Sequence, residues 1–261
     1  MPTPAAPHGP RRVLITGASR GIGRATAVAF AGQGDRVAVH YAAGRAGAEE
    51  TLSLLPGSGH ALVQGDLGEP GAAERIVGET VAALGGIDVL VNNAAVAPSA
   101  GNEHRPATTP HADWRRVWRR MVEVNLLGAV DLTHLVAQHL IDRGAGGRIV
   151  NVGSRGAFRG EPDFPAYGTT KAALQSFGQS MAIALAPHGI AVTSVAPGFV
   201  ATGRQAAKLA EDGAAIEAQS PFGRVGTPEE VADAVRYLAS APAVWASGAI
   251  LDLNGASHLR S

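Results

Sequence analysis

Short apolar runs alternate with longer mixed segments along nearly the whole chain. Residues 12–16 (RVLIT), 36–41 (RVAVHY), 61–65 (ALVQG), 88–91 (DVLV), 148–152 (RIVNV), 190–196 (IAVTSVA) and 249–253 (AILDL) carry little polar alternation and read as strands buried on both faces. Between them, residues 22–32, 46–55, 71–84, 111–142, 165–186 and 229–240 read as helices. Strands and helices that alternate in this way predict a parallel sheet with helices on both faces. With right-handed crossovers, that is the doubly wound, Rossmann-type α/β arrangement. No linker or internal repeat interrupts the alternation, so residues 11–261 are expected to form one domain, with residues 1–10 as a Pro/Ala-rich flexible tail.

Composition narrows the class. A length of 261 residues, 46% of them hydrophobic and 17% charged, suits a globular domain with a sizeable core. The 22 basic and 22 acidic residues balance, which leaves no electrostatic footprint for nucleic acid or an anionic membrane. There is no cysteine, hence no disulfide, thiolate nucleophile or cysteine-ligated metal. Residues 1–10 lack the apolar core of a signal peptide, and no uninterrupted apolar run approaches the length of a membrane span. A soluble, cytoplasmic protein is expected.

Two stretches carry chemistry. Tyr167 and Lys171 are four residues apart, which places them on one face of a helix, one turn from each other. An ammonium beside a phenol stabilises phenolate, so such a tyrosine can give a proton to a carbonyl or take one from an alcohol. The chain has only 3 tyrosines, and Lys171 and Lys208 are its only lysines, so the pairing is unlikely to arise by chance. The second stretch, Thr16-Gly17-Ala18-Ser19-Arg20-Gly21-Ile22-Gly23, joins the first strand to the first helix. Glycines there allow positive φ and let backbone amides approach a pyrophosphate, which a helix N-terminus also favours.

These motifs, with Asn92-Asn93-Ala94-Ala95, Asn125, Ser154 and Pro197-Gly198 in the same order and spacing, resemble the short-chain dehydrogenase/reductase family from about Arg12 to Asn254. The likeness extends to its 3-oxoacyl reductase members, although no residue selects that substrate. It implies a single doubly wound domain with a seven-stranded parallel sheet, a bound NAD(H) or NADP(H), and a homotetramer or homodimer. It also implies roles. Tyr167 exchanges a proton with the substrate oxygen, and Lys171 tunes Tyr167 and holds the nicotinamide ribose. Ser154 polarises the carbonyl, and Asn125 kinks its helix and holds a water in a proton relay. Gly17, Ser19, Arg20, Gly21, Ile22 and Gly23 would cradle the cofactor, with Tyr41, Asp66 and Leu67 toward its adenosine end. Asn93, Ala94 and Ala95 would line its middle, and Pro197, Gly198, Val200 and Thr202 its nicotinamide end. Ala95 stands where the family usually has glycine, and residues 254–258 (NGASH) depart from its common Gly-Gly ending.

An acidic residue at the end of the second strand normally holds the ribose 2′-hydroxyl and repels a 2′-phosphate. Residues 39–45 (VHYAAGR) contain none. Arg20 resembles the basic residue that NADP-preferring members use, Arg45 is placed to assist, and NADP(H) is favoured over NAD(H). The substrate, a small carbonyl or alcohol compound, is expected to meet residues 96–110, 155–165 and a lid at 199–222. Within these, Arg155 and Arg159 are candidates for an acidic substrate group. The histidines lack metal-ligand spacing, and no metal is expected. Trp114 and Trp118 read as core or interface packing, and Arg115, Arg116, Arg119 and Arg120 as a solvated helix face. Two rival readings remain at this level: a cofactor-binding regulatory or scaffolding protein with little turnover, and a non-redox enzyme on the same fold.

Overall fold

Strand order follows from the apolar runs. In the computed structural model, which describes residues 9–260, seven parallel strands form one sheet in the order β3-β2-β1-β4-β5-β6-β7. They are β1 (Arg12–Ile15), β2 (Arg36–Tyr41), β3 (Ala61–Gln64), β4 (Val89–Asn92), β5 (Gly147–Val152), β6 (Ile190–Pro197) and β7 (Ile250–Leu253). The chain starts in the middle of the sheet, winds out to β3, returns to β4 beside β1 and winds out the other way. The reversal leaves a crevice beyond the carboxyl ends of β1 and β4, where doubly wound folds bind ligands. Of the expected tail at residues 1–10, all but Gly9 and Pro10 lie outside the described residues.

The pleat sorts the core into two layers. Val13, Ile15, Val37 and Val39 face α1 (Gly21–Ala31), α2 (Arg45–Leu54) and α8 (Pro228–Leu238). Leu14, Ala38 and Leu90 face the other way, against α3 (Ala72–Leu84), α5 (Gly128–Asp142) and α6 (Pro165–Leu185). Each fully buried Val, Leu or Ile of these layers contributes about 1.5–3 kcal/mol.

Two elements differ from the pattern-based expectation. The long helix expected over residues 111–142 is α4 (His111–Val122), a π-helical turn (Glu123–Leu127) and α5. One 18-residue window of this run reaches the mean hydropathy of a membrane span, 1.2, but half of it is buried inside the fold, as in a core helix. The segment 199–222 contains α7 (Ala206–Glu217), whose sequence AAKLAEDGAAIE shows no clear apolar stripe; Ile216 is its buried anchor.

At the end of the sheet remote from the crevice, Arg12 grips Asp88 with two parallel bonds, Nε to Oδ2 at 2.7 Å and Nη2 to Oδ1 at 2.6 Å. The backbone N–H of Arg12 donates to the same carboxylate, and Arg143 lies 3.3 Å away. Removing the carboxylate leaves half-buried guanidinium groups unpaired. Asp88→Ala should lower the free energy of unfolding in urea by about 2 kcal/mol while leaving nucleotide affinity unchanged.

Candidate active site

The glycine-rich turn closes against its neighbours at van der Waals limits. Gly17 and Gly21 have φ of +65° and +56°. A Cβ on Gly23 would lie 2.4 Å from the carbonyl oxygen of Gly17, and one on Gly17 would lie 2.9 Å from Ala94 Cα. The turn is therefore held to the 93–95 segment after β4 by contacts that only glycine allows. Polar bonds fix it further. Asn93 Nδ2 donates to the carbonyls of Thr16 (2.7 Å) and Gly17 (3.1 Å), while Thr16 Oγ1 accepts from the amides of Asn93 and Ala94. Helix α1 starts from an extended, exposed Arg20 with no side-chain cap, which leaves its first amides without a bond from that residue's side chain. Thr202 packs over Gly21. This cradle fits a dinucleotide pyrophosphate.

His40 belongs to this framework, and the sequence reading passed over it as part of an apolar strand. Gly17 N donates to its Nδ1 (3.1 Å), so Nε2 carries the proton and donates to the carbonyl of Gly65 (2.9 Å). Its own carbonyl accepts from Ala18 N. Burial pushes the His40 pKa down to about 4. A lone histidine inside an otherwise apolar strand was the available signal.

Toward the adenosine end, Tyr41 is buried and Arg45 is exposed, its Nε donating to Glu49 at 2.8 Å. Asp66 follows β3 as expected, but both its carboxylate oxygens accept from Arg120 Nη2, at 2.9 and 2.7 Å. That bond holds the Asp66 carboxyl below its usual range. Arg120 is therefore no mere member of a solvated helix face; it ties α4 to the nucleotide end of the sheet. Leu67 is buried beside it.

The fold brings the four expected catalytic residues to the same side of the sheet. Lys171 is 2% exposed, and its Nζ donates to the Val152 carbonyl at 2.7 Å, two residues before Ser154. The same ammonium lies 5.9 Å from the centre of the Tyr167 ring, one helical turn away on α6. Ser154 is extended, and its Oγ accepts from Gly156 N. Asn125 sits in the π-helical turn, as the expected kink requires. Its Oδ1 accepts from Val96 N at 2.7 Å, and its Nδ2 lies 3.3 Å from Thr170 Oγ1, which itself donates to the Tyr167 carbonyl.

Arg155 departs from its expected part. It is 5% exposed, and its guanidinium is already taken: Nη1 donates to Ser257 Oγ, Nη2 to Gln219 Oε1 at 2.6 Å, and the plane stacks on Phe199 at 5.0 Å. Burial lowers its pKa. It is a tie between the serine turn, the α7 segment and the chain's last residues rather than an open receptor for an acid. Residues 254–258, which depart from the family ending, thereby gain a structural part. Ser220 Oγ also donates to the Gly255 carbonyl (2.7 Å), and Arg260 stacks on Phe158 at 4.5 Å.

A glycine-lined cradle at the switch point, together with a partly buried tyrosine one helical turn from a buried lysine, is the arrangement of a dinucleotide-dependent oxidoreductase. Comparison with known proteins narrows this. The family described as enoyl-(acyl carrier protein) reductase matches residues 17–258. L-rhamnose 1-dehydrogenase (NAD(P)(+)) of Sphingomonas sp. (strain SKA58) is 36% identical over 253 residues, covering 95% of this chain and 96% of that protein. Among solved structures, the promiscuous reductase LugOII, which catalyses keto-reduction at C1 during lugdunomycin biosynthesis, superposes with a TM-score of 0.85 at 34% identity, over 96% of this chain and 99% of that one. The angucycline C-6 ketoreductase LanV with bound NADP gives 0.83 at 33% identity, over 94% of each chain. The chain belongs to the short-chain dehydrogenase/reductase family. It is an NAD(P)-dependent oxidoreductase acting on a CH–OH group or the corresponding carbonyl.

A histidine buried in neutral form contributes stability above its unfolded pKa of about 6.5, and that contribution is lost as pH falls toward the folded value of about 4. Across that window the unfolded chain binds the proton and the folded chain does not. His40 should therefore account for about 3 kcal/mol of acid destabilisation. Urea unfolding of wild type and His40→Gln at pH 7.5 and 4.5 checks this: the variant should lose visibly less stability on acidification.

Proposed function

We propose that the protein interconverts a ketone and a secondary alcohol, with NADP(H) preferred over NAD(H), and that Tyr167 is the proton donor and acceptor. The observation that carries this reading is Lys171, buried on the Val152 carbonyl with its charge one turn from the Tyr167 ring. The nicotinamide, when bound, supplies or receives the hydride. The residues of the chain handle the rest. Tyr167 moves a proton at its phenol oxygen, and the Lys171 charge favours the phenolate. Ser154 orients the substrate oxygen. Asn125, pinned to Val96 and Thr170, supports a relay that returns the proton to solvent.

Preference for the phosphorylated cofactor rests on the lack of any carboxylate in residues 39–45 and on two exposed arginines, Arg20 and Arg45, flanking the turn. A charge-assisted bond from Arg20 to a phosphate accounts for roughly 1.5–3 kcal/mol. Fluorescence titration should give tighter binding of NADPH than NADH, and Arg20→Ala should weaken NADPH about 10- to 100-fold while hardly changing NADH. Equal affinities would refute the preference.

Relatives named for L-rhamnose 1-dehydrogenation, for ketoreduction and for 3-oxoacyl-[acyl-carrier-protein] reduction make L-rhamnose with NADP+, and trans-1-decalone and an acetoacetyl thioester with NADPH, a suitable panel. Tyr167→Phe should lower kcat/KM on the best of them by about 10²–10⁴-fold with NADPH binding intact. A variant that kept wild-type turnover would sink the assignment, and turnover of none of the three by wild type would sink the oxidoreductase reading of Tyr167 itself.

The working protein is a cytoplasmic homotetramer or homodimer in this reading. Edge strand β7 is only partly covered, and Trp245 (98% exposed), Ile183 (80%) and Leu259 (78%) offer apolar surface to a second copy. Light scattering should give a multiple of the 26.5 kDa chain mass, and Trp245→Glu should reduce it.

A further inference from the structure

His104 lies on the connection after β4, and its side chain is completely buried. A buried imidazole needs both nitrogens paired, and here both are. The Ala166 amide lies 3.0 Å from Nε2, and the Asn102 carbonyl lies 2.8 Å from Nδ1. An amide N–H only donates, so Nε2 accepts and the ring proton sits on Nδ1, donated to Asn102. The ring stands edge-on among Trp114, Trp118 and Phe164, with centroids 5.7, 6.4 and 6.3 Å away. The main chain adds a second link: His104 N donates to the Asp163 carbonyl at 3.0 Å, and Arg105 pairs with the Asp163 carboxylate at 2.7 Å.

Ala166 immediately precedes Tyr167 in the first turn of α6, where amides have no partner within the helix. Pro165 has no N–H. Tyr167 and Gly168 both donate to the Phe164 carbonyl. Phe164, at the cap position, has no side-chain oxygen to offer Ala166, which is itself fully buried. The cap comes from His104, 62 residues upstream. That bond anchors the peptide group directly before Tyr167, in the same first turn of α6.

We propose that His104 is a positioning residue for Tyr167: through its bond to the Ala166 amide it sets the phenol against Ser154 and the nicotinamide, and it couples the substrate-facing connection of residues 96–110 to the proton donor. This rests on the reading of Tyr167 as that donor. Displacement of a reacting group by about an ångström costs on the order of 10²-fold in rate, so the effect belongs in kcat.

Three variants divide the two imidazole bonds. His104→Gln places an amide oxygen near the Nε2 position and keeps the bond to Ala166. His104→Asn reaches only the Nδ1 position and keeps the bond to Asn102. His104→Phe keeps the ring volume and neither bond. Each is assayed on the most rapidly turned-over of the three panel compounds, with NADP+ for the sugar or NADPH for the two carbonyl compounds, alongside NADPH affinity, thermal midpoint and deuterium exchange at the Ala166 amide. Expected is a kcat loss of roughly 10-fold or more in the Asn and Phe variants, against about 3-fold or less in Gln, with KM and NADPH affinity little changed. Ala166 should exchange faster in the Asn and Phe variants only. Equal kcat in the Gln and Asn variants, or losses that simply follow the thermal midpoint, overturns the proposal while leaving the Tyr167 reading intact. If wild type turns over none of the compounds, the Tyr167 reading fails and the proposal falls with it.

Discussion

A buried ammonium is costly unless the fold is arranged around it, and in this molecule the arrangement is that of Lys171 on the Val152 carbonyl. To reach it, α6 must lie close along β5 and β6. Gly178 makes that approach possible, since a Cβ there would stand 2.7 Å from Asn151 Nδ2. With α6 so placed, Tyr167 is one turn from the charge and Ser154 two residues from the accepting carbonyl. Thr170, the neighbour of Lys171, is then within reach of Asn125 in the π-helical turn. One desolvated cation thus sets the strand–helix distance, the helix register and the company of the tyrosine.

The nucleotide half follows a different logic. Its turn is backbone rather than side chain, so what must be stabilised is a set of peptide groups in tight conformations. Asn93, Thr16 and His40 do this by bonding the turn to β4, β2 and the end of β3. The result is a stiff cradle whose outward amides are left for a ligand, preorganised before anything binds. Arg120 and Asp66 brace the same region from α4.

Much of this was legible in the sequence because the signals are local. Apolar runs mark every strand of the sheet, glycines mark the turn, and a spacing of four marks the Tyr167–Lys171 face. Helix α7 was not legible, because an alanine-rich helix on the surface needs no apolar stripe. Nor were the partners of His40, His104 and Arg155, whose side chains bond across separations of 23, 62 and 102 residues. A single polar residue has no periodicity, and nothing in its neighbours names the distant group it will meet. Arg120 failed for a related reason: a run of four arginines looks uniform until the fold brings a carboxylate to one of them.

Arg155 joins segments that are far apart in the chain, and this has a thermodynamic corollary. Its guanidinium holds Gln219 and Phe199 from the α7 side and Ser257 from the chain's end, in a setting too dry for the charge to stand alone. Release of either side leaves the remaining one to carry the whole burden of the buried cation. The packing of residues 254–258 and that of the segment around Phe199 and Gln219 are therefore energetically coupled through one cation. Three segments distant in the chain thus share the cost of one desolvated charge, and none of them can be altered without changing what the other two must satisfy.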